Sequence, residues 1–192
     1  YRANVTNGAG TSNGNDVSST PLFHWKLEDE GTSAFDQTGS RQGQIVGATS
    51  LIDGTRGRVL HFDGDDDYVT FSDIDEMDTP DEFSISLWFK RDSDHSGGNP
   101  PASNHEVNNV LIAQSSDSYN DNLEIGTEGS QVEIYIDSGT GGATDTSVSV
   151  EAGIQTGQWH HISLTYGSEM TLYVDGVKTA TWTQYNGRLD SS

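Results

Sequence analysis

Short runs in which apolar and polar residues alternate, set between stretches rich in Gly, Asp, Asn and Ser, recur from Pro21 to Trp182. The clearest is Phe83-Ser84-Ile85-Ser86-Leu87-Trp88-Phe89, with Phe83, Ile85, Leu87 and Phe89 on one face and Trp88 on the other. Successive strand side chains point to opposite faces, so this period of two predicts a strand with both faces covered. Similar runs predict strands at 22–27, 59–62, 68–71, 110–113, 123–125, 132–136, 146–150 and 161–166. A hairpin closes the series, with Met170–Val174 and Val177–Trp182 flanking Asp175-Gly176. A type I′ turn needs positive φ at both central residues, which Asp-Gly tolerates. No segment predicts a helix longer than a turn or two. Short strands at regular spacing with Gly-rich turns predict an all-β sandwich or jelly roll.

The intervening stretches set the domain organisation. Residues 1–20 contain almost no large apolar side chain and are read as a polar linker or surface arm, with the sandwich occupying 21–192. Asn4-Val5-Thr6 matches a glycosylation sequon, but in so polar a segment a chance match is the better reading. Residues 92–109 and 137–145 are too polar for a core and form long loops, the places where function or mobility concentrates.

Composition changes this picture in two respects. Thirty acidic residues against nine basic ones leave a formal net charge of −21 in 192 residues. A surface of that sign repels nucleic acid and anionic membranes, and a divalent cation held by converging carboxylates would relieve its self-repulsion. The chain also has no cysteine, which excludes disulfides and zinc–thiolate sites. No apolar run reaches 18 residues, so no helical membrane span is expected.

Four motifs carry a family resemblance. His61-Phe62-Asp63-Gly64-Asp65-Asp66-Asp67-Tyr68-Val69 resembles the F-D-G-x-x-D-Y-V hairpin of laminin G-like domains. Phe83–Lys90 resembles their F-T-I-S-x-W-V-K strand, Gln158-Trp159-His160-His161-Ile162 their W-H-H-V strand, and Leu172–Gly176 their L-Y-V-D-G turn. The motifs occur in the family's order, and the resemblance covers residues 22–182. The resemblance implies a concanavalin A-like jelly roll of two antiparallel sheets. In that reading Trp159 caps the sandwich edge, and Phe62 and Tyr68 anchor the acidic turn to the core. Laminin G-like chains continue with two further strands, whereas this sequence ends at Arg188-Leu189-Asp190-Ser191-Ser192. A split domain is therefore expected, its C-terminal strands supplied by another segment or replaced by the arm at 1–20. The acidic, cysteine-free composition resembles that of large repeat-in-toxin adhesins of Gram-negative bacteria.

Two metal candidates follow. Pentraxins, relatives of the same fold, hold calcium with an Asp-Asn pair, and Asp121-Asn122 is similar in position. The pair offers a carboxylate and an amide carbonyl, both hard oxygen ligands; the competing reading is a plain turn. Asp63, Asp65, Asp66 and Asp67 form the second candidate, against a solvated hairpin tip. Asp29 and Asp36 could join either cluster. His160 and His161, adjacent on a strand, point to opposite faces and cannot readily share one ion, so one is expected packed and the other exposed. His95 and His105, in the long loop, are weaker candidates.

These residues support three readings of function. The first is a calcium-dependent recognition or adhesion module at the cell surface or outside the cell. It would bind glycans or a cell-surface partner beside neighbouring domains of a longer chain, with Tyr119 and Tyr185 as ligand contacts. The second is a scaffold domain of an adhesin in which calcium only stiffens the fold. The third is a glycoside hydrolase: Asp73-Ile74-Asp75-Glu76-Met77-Asp78 mimics the E-x-D-x-x-E strand of β-glucanases, with Asp75 central. No nucleophile elbow or phosphate loop is present, and a non-enzymatic module is expected.

Overall fold

The computed structural model of the chain describes residues 2–3, 21–39, 41–72, 74–78, 81–94, 107–114, 123–137, 145–184 and 189. Two compact units are distinguished. The first gathers the described residues up to Ile74 together with Ser84–Trp88; the second gathers Asp75–Phe83 and those from Phe89 onward.

In the first unit, β2 (Ser33–Phe35), β3 (Gln42–Val46) and β6 (Tyr68–Phe71) form an antiparallel sheet in the order β2-β3-β6. Strands β4 (Thr49–Asp53) and β5 (Gly57–His61) form a hairpin. The short β1 (Arg2–Ala3) pairs with the middle of β7 (Phe83–Lys90) through Arg2↔Trp88 and Ala3↔Leu87. Strands β2, β3 and β4 were not foreseen. Their buried positions are Ala34, Gly43 and Ile45, two of which carry almost no apolar signal.

One face of the β2-β3-β6 sheet closes a core of Phe23, Trp25, Leu27, Ala34, Ile45 and Leu60, with Phe62, Val69 and Phe71 packed against it. Phe23 stacks on Trp25 with ring centroids 5.3 Å apart, and Trp25 meets Phe71 at 4.1 Å. The Phe71 ring occupies the space a Cβ at Gly43 would need, so glycine lets β3 and the ring close up. Burying each large side chain here contributes about 2 kcal/mol of hydrophobic stabilisation. The run 22–27 does bury alternate residues, but among the described residues it makes the bridge Trp25↔Asp36 and no strand, and it ends at Leu27 with φ 55°. Trp88 is half-buried, and the Arg56 guanidinium lies 3.4 Å from its ring centroid. The expected cover on both faces of β7 is thus present.

The second unit holds the helical turn α1 (Asp75–Asp78) and two antiparallel arrays. One comprises β8 (Ile112–Gln114), β9 (Leu123–Glu128), β10 (Gln131–Asp137) and β11 (Asp145–Glu151), in the order β11-β10-β9-β8. The other is the meander β12 (Trp159–Tyr166), β13 (Met170–Val174) and β14 (Val177–Trp182). The run expected at 110–113 pairs as β8 at 112–114. Along β12 the burial alternates strictly, with His160, Ile162, Leu164 and Tyr166 inside. The β13–β14 turn is the one predicted, with Asp175 at φ 52° and Gly176 at φ 80°.

Candidate functional site

The turn between β5 and β6 is built by its own carboxylates. Asp63 Oδ1 accepts the Asp65 backbone N–H at 2.9 Å, and Asp67 Oδ2 accepts that of Asp63 at 2.9 Å. Gly64 supplies the left-handed residue at φ 86°. Asp67 Oδ1 sits where a Cβ at Gly47 would be, so the glycine after β3 leaves room for the carboxylate. Oxygens of Asp63, Asp66 and Asp67 consequently lie within 4.8 Å of one another, the one such group among the described residues. Asp65 is exposed in the same turn and is not in the group. Calcium–oxygen distances of about 2.3–2.6 Å place two ligands of one ion within about 5 Å, so this spacing and these hard donors fit calcium.

The anchoring of the turn differs from expectation. Phe62 packs against the core, but Tyr68 is 52% exposed because it lies on the outer face of β6; Val69 and Phe71 point inward instead.

Asp36 and Asp29 join no carboxylate group among the described residues. Asp36 Oδ1 accepts the His24 and Thr38 backbone N–H groups at 2.8 and 3.0 Å. Its Oδ2 accepts the Thr38 hydroxyl at 2.5 Å and the Arg41 backbone N–H at 3.2 Å. Burial alone would raise the Asp36 pKa, but these four donors together hold it below the ordinary carboxylate value. Its lone pairs serve the loop, not a metal. Asp29 Oδ2 likewise accepts the Phe35 N–H at 3.1 Å.

Of the paired histidines, His160 is buried and His161 is half-buried. His160 Nε2 accepts the Gln155 N–H at 3.0 Å, which leaves the proton on Nδ1, facing Asp175 Oδ2 at 2.8 Å. Asp175 Oδ1 also accepts the His161 N–H at 2.8 Å. This is a structural clasp on the last hairpin.

The described part of the glucanase-like segment does not form the strand whose spacing it mimics. Asp75–Asp78 is a helical turn, and the E-x-D-x-x-E chemistry needs an extended strand that aligns its carboxylates on one side. Asp121, Asn122, Tyr119, Tyr185, His95 and His105 lie outside the described residues.

Sequence reasoning missed a buried polar cluster beneath residues 107–111. Glu124 on β9 is wholly buried and accepts the Val107 N–H at 3.2 Å. Glu133 on β10 accepts the backbone and side-chain N–H groups of Asn108 at 2.7 and 3.1 Å. Arg91, also buried, reaches Asp94 at 2.8 Å, the Thr127 hydroxyl at 3.1 Å and the Gly129 carbonyl at 2.6 Å. The only sequence signal was a glutamate inside the apolar run Leu123-Glu124-Ile125.

Among the described residues, the antiparallel sheets, a single helical turn and a carboxylate-lined hairpin accord with a lectin-like fold of the laminin G type. A family model described as the concanavalin A-like lectin/glucanases superfamily matches residues 63–191. The chain belongs to that laminin G-like family and has its jelly-roll fold. No curated protein matches the chain.

Proposed function

We infer that this chain is a calcium-dependent extracellular recognition module that binds glycans or a cell-surface partner alongside neighbouring domains of a longer protein. One observation carries the reading: oxygens of Asp63, Asp66 and Asp67 come together in the β5–β6 turn of a chain of the lectin superfamily. Asp63, Asp66 and Asp67 would hold the ion, and calcium there would neutralise their charge and stiffen the turn. Tyr68, next in the chain and half exposed, is an aromatic available to a ligand on the outer face of β6. No helix among the described residues is long and apolar enough to cross a membrane.

The test is a glycan array probed with and without calcium. Binding that disappears in EDTA and returns with calcium is expected; binding indifferent to EDTA counts against the reading. A scaffold role for calcium is the second reading, favoured by the hydrogen bonds through which Asp63 and Asp67 hold the turn's own backbone. A large calcium-dependent rise in melting temperature, with no glycan or cell-surface ligand found, selects that reading.

A further inference from the structure

The β2-β3-β6 sheet buries one face in the first core and presents the other to solvent. Register places Phe35 opposite Gln42, Ser33 and Thr70 on either side of Gln44, and Tyr68 opposite Val46. Residues directly opposite in an antiparallel ladder share a face, so all of these side chains lie on the outer surface. Phe35 is 50% exposed and Tyr68 52%, while Gln42, Gln44 and Thr70 are exposed between them. None is charged, in a chain whose formal charge is −21.

The two aromatics are two strands apart and offset by the four residues from Gln42 to Val46. At about 4.8 Å per strand and about 3.4 Å per residue, that is roughly 17 Å on the diagonal. At the Phe35 end the surface dips into a cavity of about 290 Å³ lined by Phe35, Asp36, Gly39, Arg41 and Gln42. The four donors on Asp36 fix this loop before any ligand arrives, which lowers the ordering cost of binding.

We propose that this outer face is a binding platform for a neutral linear glycan, with one sugar ring against Phe35 at the cavity and another against Tyr68. The proposal rests on the recognition reading above and gives it a surface and a ligand class. Aromatic rings at each end offer apolar faces to sugar C–H groups, and the amides and hydroxyls between them match sugar hydroxyls. The span suits several linked rings rather than one. An anionic polymer is disfavoured by the chain's charge. A protein partner would seek a buried apolar centre, and this face has amides at its centre with aromatics only at its ends.

The test uses the full chain in calcium, titrated with cellotetraose, chitotetraose and mannotetraose and with their monosaccharides, followed by calorimetry and backbone NMR. At least one tetrasaccharide is expected to bind about tenfold or more tighter than its monosaccharide, shifting resonances of β2, β3 and β6. Phe35→Ala and Tyr68→Ala should each weaken it about two- to tenfold, and the double variant should abolish measurable binding with an unchanged melting temperature. Binding retained by the double variant overturns this platform while leaving glycan recognition by the chain intact. A tetrasaccharide that binds no tighter than its monosaccharide, or no response to any probe at millimolar concentration, also overturns it. So does a protein ligand lost on the double substitution when no sugar binds.

Discussion

His160 Nδ1 lies 2.8 Å from Asp175 Oδ2, so a buried imidazole on β12 is tied to the turn that joins β13 to β14. Because the Gln155 N–H donates to Nε2, Nδ1 is the ring nitrogen that donates to the Asp175 carboxylate, a charge-assisted hydrogen bond. Nitrogen-15 NMR should show the Nδ1–H tautomer at neutral pH. Asp175→Ala should destabilise the chain by about 1–3 kcal/mol in urea unfolding, since it strands the donors of His160 and His161 and puts alanine at positive φ. An unchanged unfolding midpoint would mean that the clasp contributes nothing.

Asp36 should give the fold an acid-sensitive limb. A group whose pKa is lower folded than unfolded stabilises the protein above its unfolded value, and that stabilisation disappears as pH falls through the folded value. Stability measured from neutral pH downward should therefore drop in the acid range, and Asp36→Asn should be less stable at neutral pH with a flatter acid limb. Asp36→Ala should cost about 2–4 kcal/mol, because four donors lose their acceptor.

Gly126 is a point of close approach between residues 107–108 and β9. A Cβ there would meet the Asn108 carbonyl oxygen, and that oxygen also accepts the Thr127 N–H at 2.8 Å. Gly126→Ala should cost about 3 kcal/mol, as expected for overpacking against backbone that cannot yield. Hydrogen exchange should show faster opening at Leu111 and Thr127, whose N–H groups bond to Ile125 and Asn108.

Arg56 covers the outer face of Trp88. Arg56→Ala should shift tryptophan emission to the red and cost about 1 kcal/mol. Lysine at this position should restore less than arginine does, since its ammonium lacks the flat surface that stacks on the ring.

Calcium binding should depend on Asp63, Asp66 and Asp67 and less on Asp65. Asp67→Asn should weaken calcium affinity by about tenfold or more in calorimetry, and Asp65→Asn by much less. Equal losses from both would indicate a diffuse charge effect rather than ligation.

What the sequence by itself determined was local. The alternation of β7 and β12, the opposite facing of neighbouring His160 and His161 (though His161 is half-buried rather than exposed), and the Asp175-Gly176 turn all depend on bonds between near neighbours and the two-residue strand period. The alternation in 22–27 was also legible, but not its failure to pair, because a ladder needs a partner strand. Strands β2 and β3 were hidden because two of the three residues they bury, Ala34 and Gly43, are small, and at Gly43 it is the Phe71 ring that fills the space. A run of aspartates could be read directly, yet only the folded turn, with Asp67 lodged against Gly47, decided that Asp63, Asp66 and Asp67 meet while Asp65 does not. The burial of Glu124 and the presence of Phe35 and Tyr68 on one exposed sheet face were likewise set by tertiary structure. Those relationships join residues far apart in the chain, and sheet register, not sequence spacing, determines which of them share a surface.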